Sequence, residues 1–180
     1  MSILLYVALG LNLFLLLMAC INAFTIIRPP KLGSNELSFS LIIPCRNEAE
    51  NIAELVTSLA ALDHPKSEVI FVNDNSTDNT YELLLSHTQH HPHMSVISAG
   101  QLPQGWMGKP WALSQGASQA KNDFLITVDA DVRLSSDSIS KIDAVLMRTH
   151  LDFLSPYPSQ IALTLSERLV QPLLQWTWMT

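Results

Sequence analysis

Strand-like and helix-like segments alternate strictly through the middle of this chain, and that alternation limits its fold more than any other feature. "SFSLIIP" predicts a short strand over 39–43, closed by Pro44, which lacks the N–H that a sheet ladder uses. "VIFVN" (69–73), "MSVIS" (94–98) and "DFLITVD" (123–129) predict three more. Helical patterns lie between them. "CRNEAENIAELVTSLAAL" sets Ile52, Leu55, Val56, Leu59 and Leu62 at helical intervals, with Asn47 and Glu50 at capping-box spacing. "YELLLSH" and "WALSQGASQA" give two further helices. "SSDSISKIDAVLMRT" gives a fourth, with Ile139, Ile142, Val145 and Leu146 on one face. The strands are continuous apolar runs rather than alternating ones, the pattern of a parallel sheet covered on both faces. The expectation is an α/β domain, and 180 residues are enough for one.

Residues 3–27 carry no charged side chain, and Asn12, Asn22 and Thr25 are the only clearly polar ones. A run of that length is enough to cross a bilayer as a helix. A cleaved signal peptide fits poorly, because the apolar stretch is too long and no basic segment precedes it. An apolar surface all round argues against a core helix. The reading is a transmembrane anchor over 3–27, a linker rich in proline, glycine and polar residues over 28–36, a domain over 37–150 and an apolar tail over 151–180. Arg28 and Lys31 are the first charges after the anchor. By the positive-inside tendency they place the domain in the cytoplasm, with the lipid bilayer as the anchor's partner.

Ten basic and sixteen acidic residues give a formal charge of −6. A mildly acidic chain has no general footprint for nucleic acid. The two cysteines, Cys20 and Cys45, make no plausible disulfide, which suits a reducing compartment. "HTQHHPH" (87–93) has no recognised zinc spacing and reads as a polar surface loop.

The polar clusters "PCRNE", "NDNSTDNT" and "DADVR" each follow the carboxyl end of a strand, where open α/β sheets bind ligands. In "FLITVDADVRL", Asp129 and Asp131 follow a run that reads as a buried strand. In extended chain, residues two apart point to the same side, so both carboxylates address one spot. Such a pair either holds a hard divalent cation together with substrate phosphate oxygens, or belongs to a solvated turn. Asp74 ends the second strand and reads as a ligand contact, Ser76 and Thr77 as helix caps, and Asn73 as either. Arg46, Asn47 and Glu48 fall at a predicted helix N-terminus, which favours anions. Arg46 there suits a phosphate, while Glu48 serves either a ligand or the helix dipole. Lys109 in "GWMGKPWAL" either contacts a diphosphate or is an ordinary surface lysine. No G-x-G-x-x-G follows the first strand and no G-x-x-x-x-G-K-[ST] occurs, which argues against a dinucleotide dehydrogenase and a P-loop NTPase.

Taken together, "SLIIPCRNEAENI", "VIFVNDNSTDNT", "GWMGKPWALSQG" and "FLITVDADVRL" resemble family 2 glycosyltransferases of the GT-A fold, in order and spacing, over about residues 40–134. The "GW-x-GK" stretch and the anchor make the chain most similar to the membrane-bound branch, which includes ceramide-glucosyltransferase-like and hopanoid- or carotenoid-associated enzymes. The resemblance implies a Rossmann-like, mostly parallel sheet with helices on both faces. It also implies a nucleotide-sugar donor, commonly a UDP-sugar, and Mg²⁺ or Mn²⁺ on its diphosphate. Pro44, Arg46 and Glu48 would line the nucleotide pocket. Asp74 would bind the uracil–ribose part, with Asn73 standing where the family has a first aspartate. Lys109 would lie near the diphosphate. Asp129 and Asp131 would form the D-x-D motif, Asp131 being the direct metal ligand. The branch implies a lipid acceptor.

An inverting transferase also needs a general base. In this family it is an aspartate in an E-D or T-D motif well beyond the D-x-D, followed by Q-x-x-R-W. Neither occurs here, since Gln175 and Trp176 in "LVQPLLQWTWMT" lack an arginine at the required spacing. The chain is therefore expected to be the donor-binding half of a larger enzyme, or a nucleotide-sugar-binding module that does not turn over. Its tail reads either as an interfacial helix, with Trp176 and Trp178 at the membrane surface, or as a core helix whose partner lies elsewhere.

Overall fold

The computed structural model describes residues 3–156 and 161–171. These fall into two units, Pro29–Asp152 and a second made of the residues up to Arg28 with those from Phe153.

In the second unit, α1 (Ile3–Thr25) is long and apolar enough to cross a membrane by length and composition, and none of its residues is buried. Two of its polar side chains, Asn12 and Thr25, bond back to their own helix. Asn12 Nδ2 donates to the Ala8 carbonyl at 2.8 Å and Thr25 Oγ1 to the Ile21 carbonyl at 3.0 Å, which satisfies them without water. Residues 165–171 are helical. Thr164 and Glu167 form a capping box there, with the Glu167 carboxylate taking the Leu163 and Thr164 N–H groups at 2.7 and 2.9 Å. Those bonds hold the Glu167 pKa below its ordinary value. Gln175, Trp176 and Trp178 lie outside the described residues.

The Pro29–Asp152 unit runs β1 (Phe39–Cys45), α2 (Ile52–Ala60), β2 (Ser67–Asn73), α3 (Thr80–Thr88), β3 (Met94–Ser98), α4 (Gly108–Gln119), β4 (Phe124–Thr127) and α5 (Ser138–Thr149). The strands form one parallel sheet in the order β3-β2-β1-β4. The chain steps from β1 to β2 to β3 in one direction and then returns to place β4 on the other side of β1. That reversal puts the topological switch point at the carboxyl ends of β1 and β4, where an α/β sheet opens a crevice.

Both faces of β1 and β2 are covered. Phe39, Leu41, Ile42, Ile43, Val69, Ile70, Phe71 and Val72 are all buried. Alternate residues show what covers each face. Ile42, Ile70 and Val72 pack with Ala112 of α4, and Gly116 makes that approach possible. A Cβ on Gly116 would lie 2.3 Å from Ile42 Cγ2 and 3.0 Å from Val72 Cγ2. On the other face Phe39 meets the His64 ring edge-on, at 5.3 Å between centroids.

Four expectations are corrected. Pro44 does not close β1, because pairing with β2 continues to Cys45 opposite Asn73. Ile42 turns its carbonyl toward β4, where it accepts from Val128 N at 3.1 Å, so Pro44, two residues on, faces the same side. Pairing with β4 ends at Ile42 opposite Thr127, so the missing N–H of Pro44 is not needed. Second, α2 begins at Ile52 with Asn51 as N-cap, and residues 46–51 form a turn with Asn47 in the left-handed region at φ 55°. The Asn47–Glu50 capping box is therefore not formed. Third, β4 is an edge strand of the described sheet rather than a buried one, and Leu125 is 52% exposed. Fourth, Ser76 and Thr77 do not cap α3, whose N-cap is Asn79.

Candidate functional site

Loops after β1 and β2 are laced together, and this lacing shapes one wall of a cleft. Asn47 N donates to Ser76 Oγ at 3.1 Å, and Asn47 Oδ1 accepts from Thr77 N at 2.8 Å. Glu48 N donates to Thr80 Oγ1 at 2.8 Å and Ala49 N to Asp78 Oδ2 at 3.3 Å. Bonds from Thr80 and Ala49 hold the Asp78 carboxyl below its ordinary pKa, the Thr80 hydroxyl contributing most. Asn73 Oδ1 accepts from Ser76 N at 3.3 Å, so this residue closes the turn after β2.

The opposite wall is the turn after β4. Val132 N donates to the Asp129 carbonyl at 3.0 Å, so Asp129–Ala130–Asp131–Val132 is one tight turn. The two carboxylates thus face the cleft from a turn, not from the extended chain that their spacing suggested.

The third side is the first turn of α4. Met107 enters it in extended conformation, and Gly108 and Lys109 are its first residues. Pro110 follows within the first turn, where its missing N–H breaks no helical bond. A Cβ on Gly108 would lie 2.7 Å from Asp74 Oδ2 and 3.5 Å from Arg46 Nη1, so only glycine lets the helix end come so close. The helix N-terminus that faces the cleft is therefore that of α4. Arg46 and Glu48, expected at the start of α2, lie in the turn before it.

Pro44, Arg46, Glu48, Asp74, Lys109, Asp129 and Asp131, all singled out from the sequence, line this one cleft of about 410 Å³, together with Gly108 and Ala130. Asp74 is 6% exposed and its Oδ2 sits 3.8 Å from Arg46 Nη1. Lys109 Nζ bonds Asp129 Oδ1 at 2.6 Å. The cleft therefore presents two cationic side chains and a helix N-terminus for anionic groups, and acids for hydroxyls or a cation. The donor set at Asp129 and Asp131 is all oxygen, which fits Mg²⁺ or Mn²⁺, and the Lys109 ammonium already stands against it as a cation. Among the described residues no three His, Cys, Asp or Glu side chains converge to hold a metal, so a cation here would need oxygens from water or a substrate.

Sequence reading gave the glycines of "GWMGKPWAL" close backbone approach to a ligand without singling out Gly108, whose near neighbours are Asp74 and Arg46. Arg133, which bonds the Ala130 and Val132 carbonyls, carried no signal beyond its place after the acidic pair.

Fold and cleft together define a GT-A-like α/β domain. Residues 40–156 match the model of glycosyl transferase family 2, and the chain belongs to that family. It is 31% identical over 116 residues to the poly-beta-1,6-N-acetyl-D-glucosamine synthase of Staphylococcus aureus (strain COL), covering 64% of this chain and 27% of the relative. The synthase of the same description from Staphylococcus epidermidis is 30% identical over 100 residues, covering 55% and 23%. The chain thus spans about a quarter of the length of these relatives. Among solved structures, S. aureus TarS 1-349 in complex with UDP-GlcNAc is similar at a TM-score of 0.54 and 26% identity, over 68% of this chain and 38% of that one. The mannosyltransferase PcManGT from Pyrobaculum calidifontis, in complex with GDP-Man and Mn²⁺, shares the fold at a TM-score of 0.62 and 23% identity, over 78% and 42%.

Proposed function

We propose that this cleft binds a nucleotide sugar, a UDP-sugar, and that the chain is the donor-binding part of a membrane-anchored glycosyltransferase acting on a lipid acceptor. The observation that carries this reading is the gathering of seven residues from four separate motifs into one cleft at the switch point. The likeness to TarS, whose complex holds UDP-GlcNAc, supports a uridine donor.

In this reading Asp74, buried at the cleft floor, takes hydroxyl or N–H groups of the uridine. Arg46, Lys109 and the first turn of α4 meet the diphosphate, and Pro44 and Glu48 form the wall beside it. Asp129 and Asp131 hold Mg²⁺ or Mn²⁺, with Asp131 the primary ligand because Asp129 already pairs with Lys109. When bound, the metal supplies Lewis-acid neutralisation of the leaving diphosphate. The domain organisation proposed is an anchor over 3–27, a linker over 28–36, the nucleotide-sugar domain over 37–150 and the apolar tail from 151. Arg28 and Lys31 support a cytoplasmic domain.

The lipid acceptor and the ceramide-glucosyltransferase-like branch are supported by α1 and by the "GW-x-GK" stretch. A polysaccharide acceptor is the second reading, favoured by the 31% identity to poly-beta-1,6-N-acetyl-D-glucosamine synthase. A nucleotide-sugar-binding module without turnover is the third reading.

The test is sugar transfer by the native protein, taken from its own membranes into detergent with whatever sequence accompanies these 180 residues there, from labelled UDP-GlcNAc and UDP-glucose to extracted lipid and to an oligosaccharide primer. Transfer to lipid that is lost in D131A supports the proposal. Transfer to the primer alone supports the second reading, and Mn²⁺-dependent UDP binding without transfer supports the third.

A further inference from the structure

Arg133 joins the turn that carries Asp129 and Asp131 to the wall that carries Glu48. Its Nη1 donates to the Ala130 carbonyl at 2.9 Å and the Val132 carbonyl at 3.2 Å. Its Nη2 donates to the Asn51 carbonyl at 3.3 Å and to Asn51 Oδ1 at 3.2 Å. Asn51 Nδ2 in turn donates to Glu48 Oε2 at 2.7 Å. Glu54 Oε2 stands 3.6 Å from Arg133 Nε and balances the charge from solvent. A hydrogen-bonded chain thus runs from the acidic turn through Arg133 and Asn51 to Glu48.

Two features make this more than surface pairing. The Arg133 side chain is only 27% exposed, and Ala130, whose carbonyl it takes, is 4% exposed. Carbonyls of buried residues need donors, and the turn's own closing bond, from Val132 N, goes to the Asp129 carbonyl, so Arg133 serves Ala130. The planar guanidinium fork also reaches two elements at once, which a lysine ammonium on its flexible stem does not do.

We propose that Arg133 is a positioning residue of the cleft. It fixes the Asp129–Asp131 turn for metal binding and, through Asn51, sets the Glu48 carboxylate. The proposal rests on the reading of the cleft as a metal and nucleotide site. The sign of its effect separates it from plain electrostatics. A cation near two metal-binding carboxylates repels the metal, so removing it for its charge alone would tighten metal binding. Removing a positioning residue loosens it, by about 10- to 100-fold where an outer partner orients a ligand.

The test is Mn²⁺ binding by the full chain in detergent, followed by the electron-spin signal of free Mn²⁺ with UDP present, for wild type, R133Q, R133K and N51A. Thermal unfolding is recorded on the same samples. The expected result is a loss of Mn²⁺ affinity of about tenfold or more in R133Q, a loss retained in R133K despite its charge, and a smaller loss in N51A. If R133Q does not unfold cooperatively, R133K and N51A decide. Mn²⁺ affinity at or above wild type in the folded variants overturns the positioning role alone. A wild-type chain that binds neither Mn²⁺ nor UDP overturns the cleft reading, and the positioning role with it.

Discussion

Lys109 Nζ lies 2.6 Å from Asp129 Oδ1, so the first turn of α4 and the turn after β4 are joined by an ion pair across the cleft. Both side chains are more than half exposed, at 57% and 56%, and such a pair contributes only about 0–1 kcal/mol. In the proposed reading it is weak enough to exchange for a diphosphate. K109M should therefore weaken UDP binding by about tenfold or more, the worth of a charge-assisted bond, and leave uridine binding unchanged. Calorimetric titration with both ligands checks this. Equal weakening of uridine and UDP would show that Lys109 acts on the fold and not on phosphate.

Gly108 and Gly116 sit on one helix and answer to different neighbours. G116A drives a methyl into Ile42 and Val72 and should destabilise the domain by about 1–3 kcal/mol, read by urea unfolding. G108A pushes against the Asp74 carboxylate and should weaken uridine binding. A G108A chain with unaltered uridine affinity would remove Asp74 from the nucleoside site.

His64 and Asp143 form a fully buried pair at 3.2 Å, and Asp143 Oδ2 also accepts from Leu37 N at 3.0 Å. The pair ties the segment after α2 and the start of the domain to α5. D143A leaves the Leu37 N–H and His64 Nε2 without their buried acceptor and should cost about 1–3 kcal/mol. D143N keeps an acceptor for Leu37 and should cost less. Unfolding midpoints of the two variants give the comparison, and equal midpoints would contradict it.

Cys45 ends β1 and is buried. Burial, with the nearby Glu48 charge adding, pushes its thiol from the ordinary 9.0 up to about 12. Once unfolded, the chain ionises this thiol near its ordinary value. Its contribution to stability is full below about pH 9 and is lost as pH rises toward about 12. Iodoacetamide at pH 8 should leave Cys45 unmodified in the folded chain and label it in urea. Labelling at the same rate in both states would contradict the burial.

The four strands were legible because a parallel strand covered on both faces must be apolar along its length, as in β1 and β2. The cleft residues were legible because charge placed directly after such a strand is costly unless it is used or solvated. Composition could not tell which strand lies at an edge, so the exposure of Leu125 was hidden. The Asn47–Glu50 spacing misled because inter-loop bonds and helix caps use the same small polar side chains. Pro44 misled because a proline ends pairing on one side of a strand only. Nothing in the helical pattern of 138–149 singles out Asp143. The approach of His64, 79 residues away in sequence, and of Leu37, 106 away, makes it a buried acceptor.

The central claim is that the cleft holds a nucleotide diphosphate together with a divalent cation. Equilibrium titration of UDP into the full chain, with and without Mn²⁺, in wild type, D131N and D74N, tests it most directly. The account predicts UDP binding that Mn²⁺ strengthens in wild type, loss of that strengthening in D131N, and weaker binding in D74N with or without metal. UDP binding that is indifferent to Mn²⁺ and equal in all three chains would contradict it.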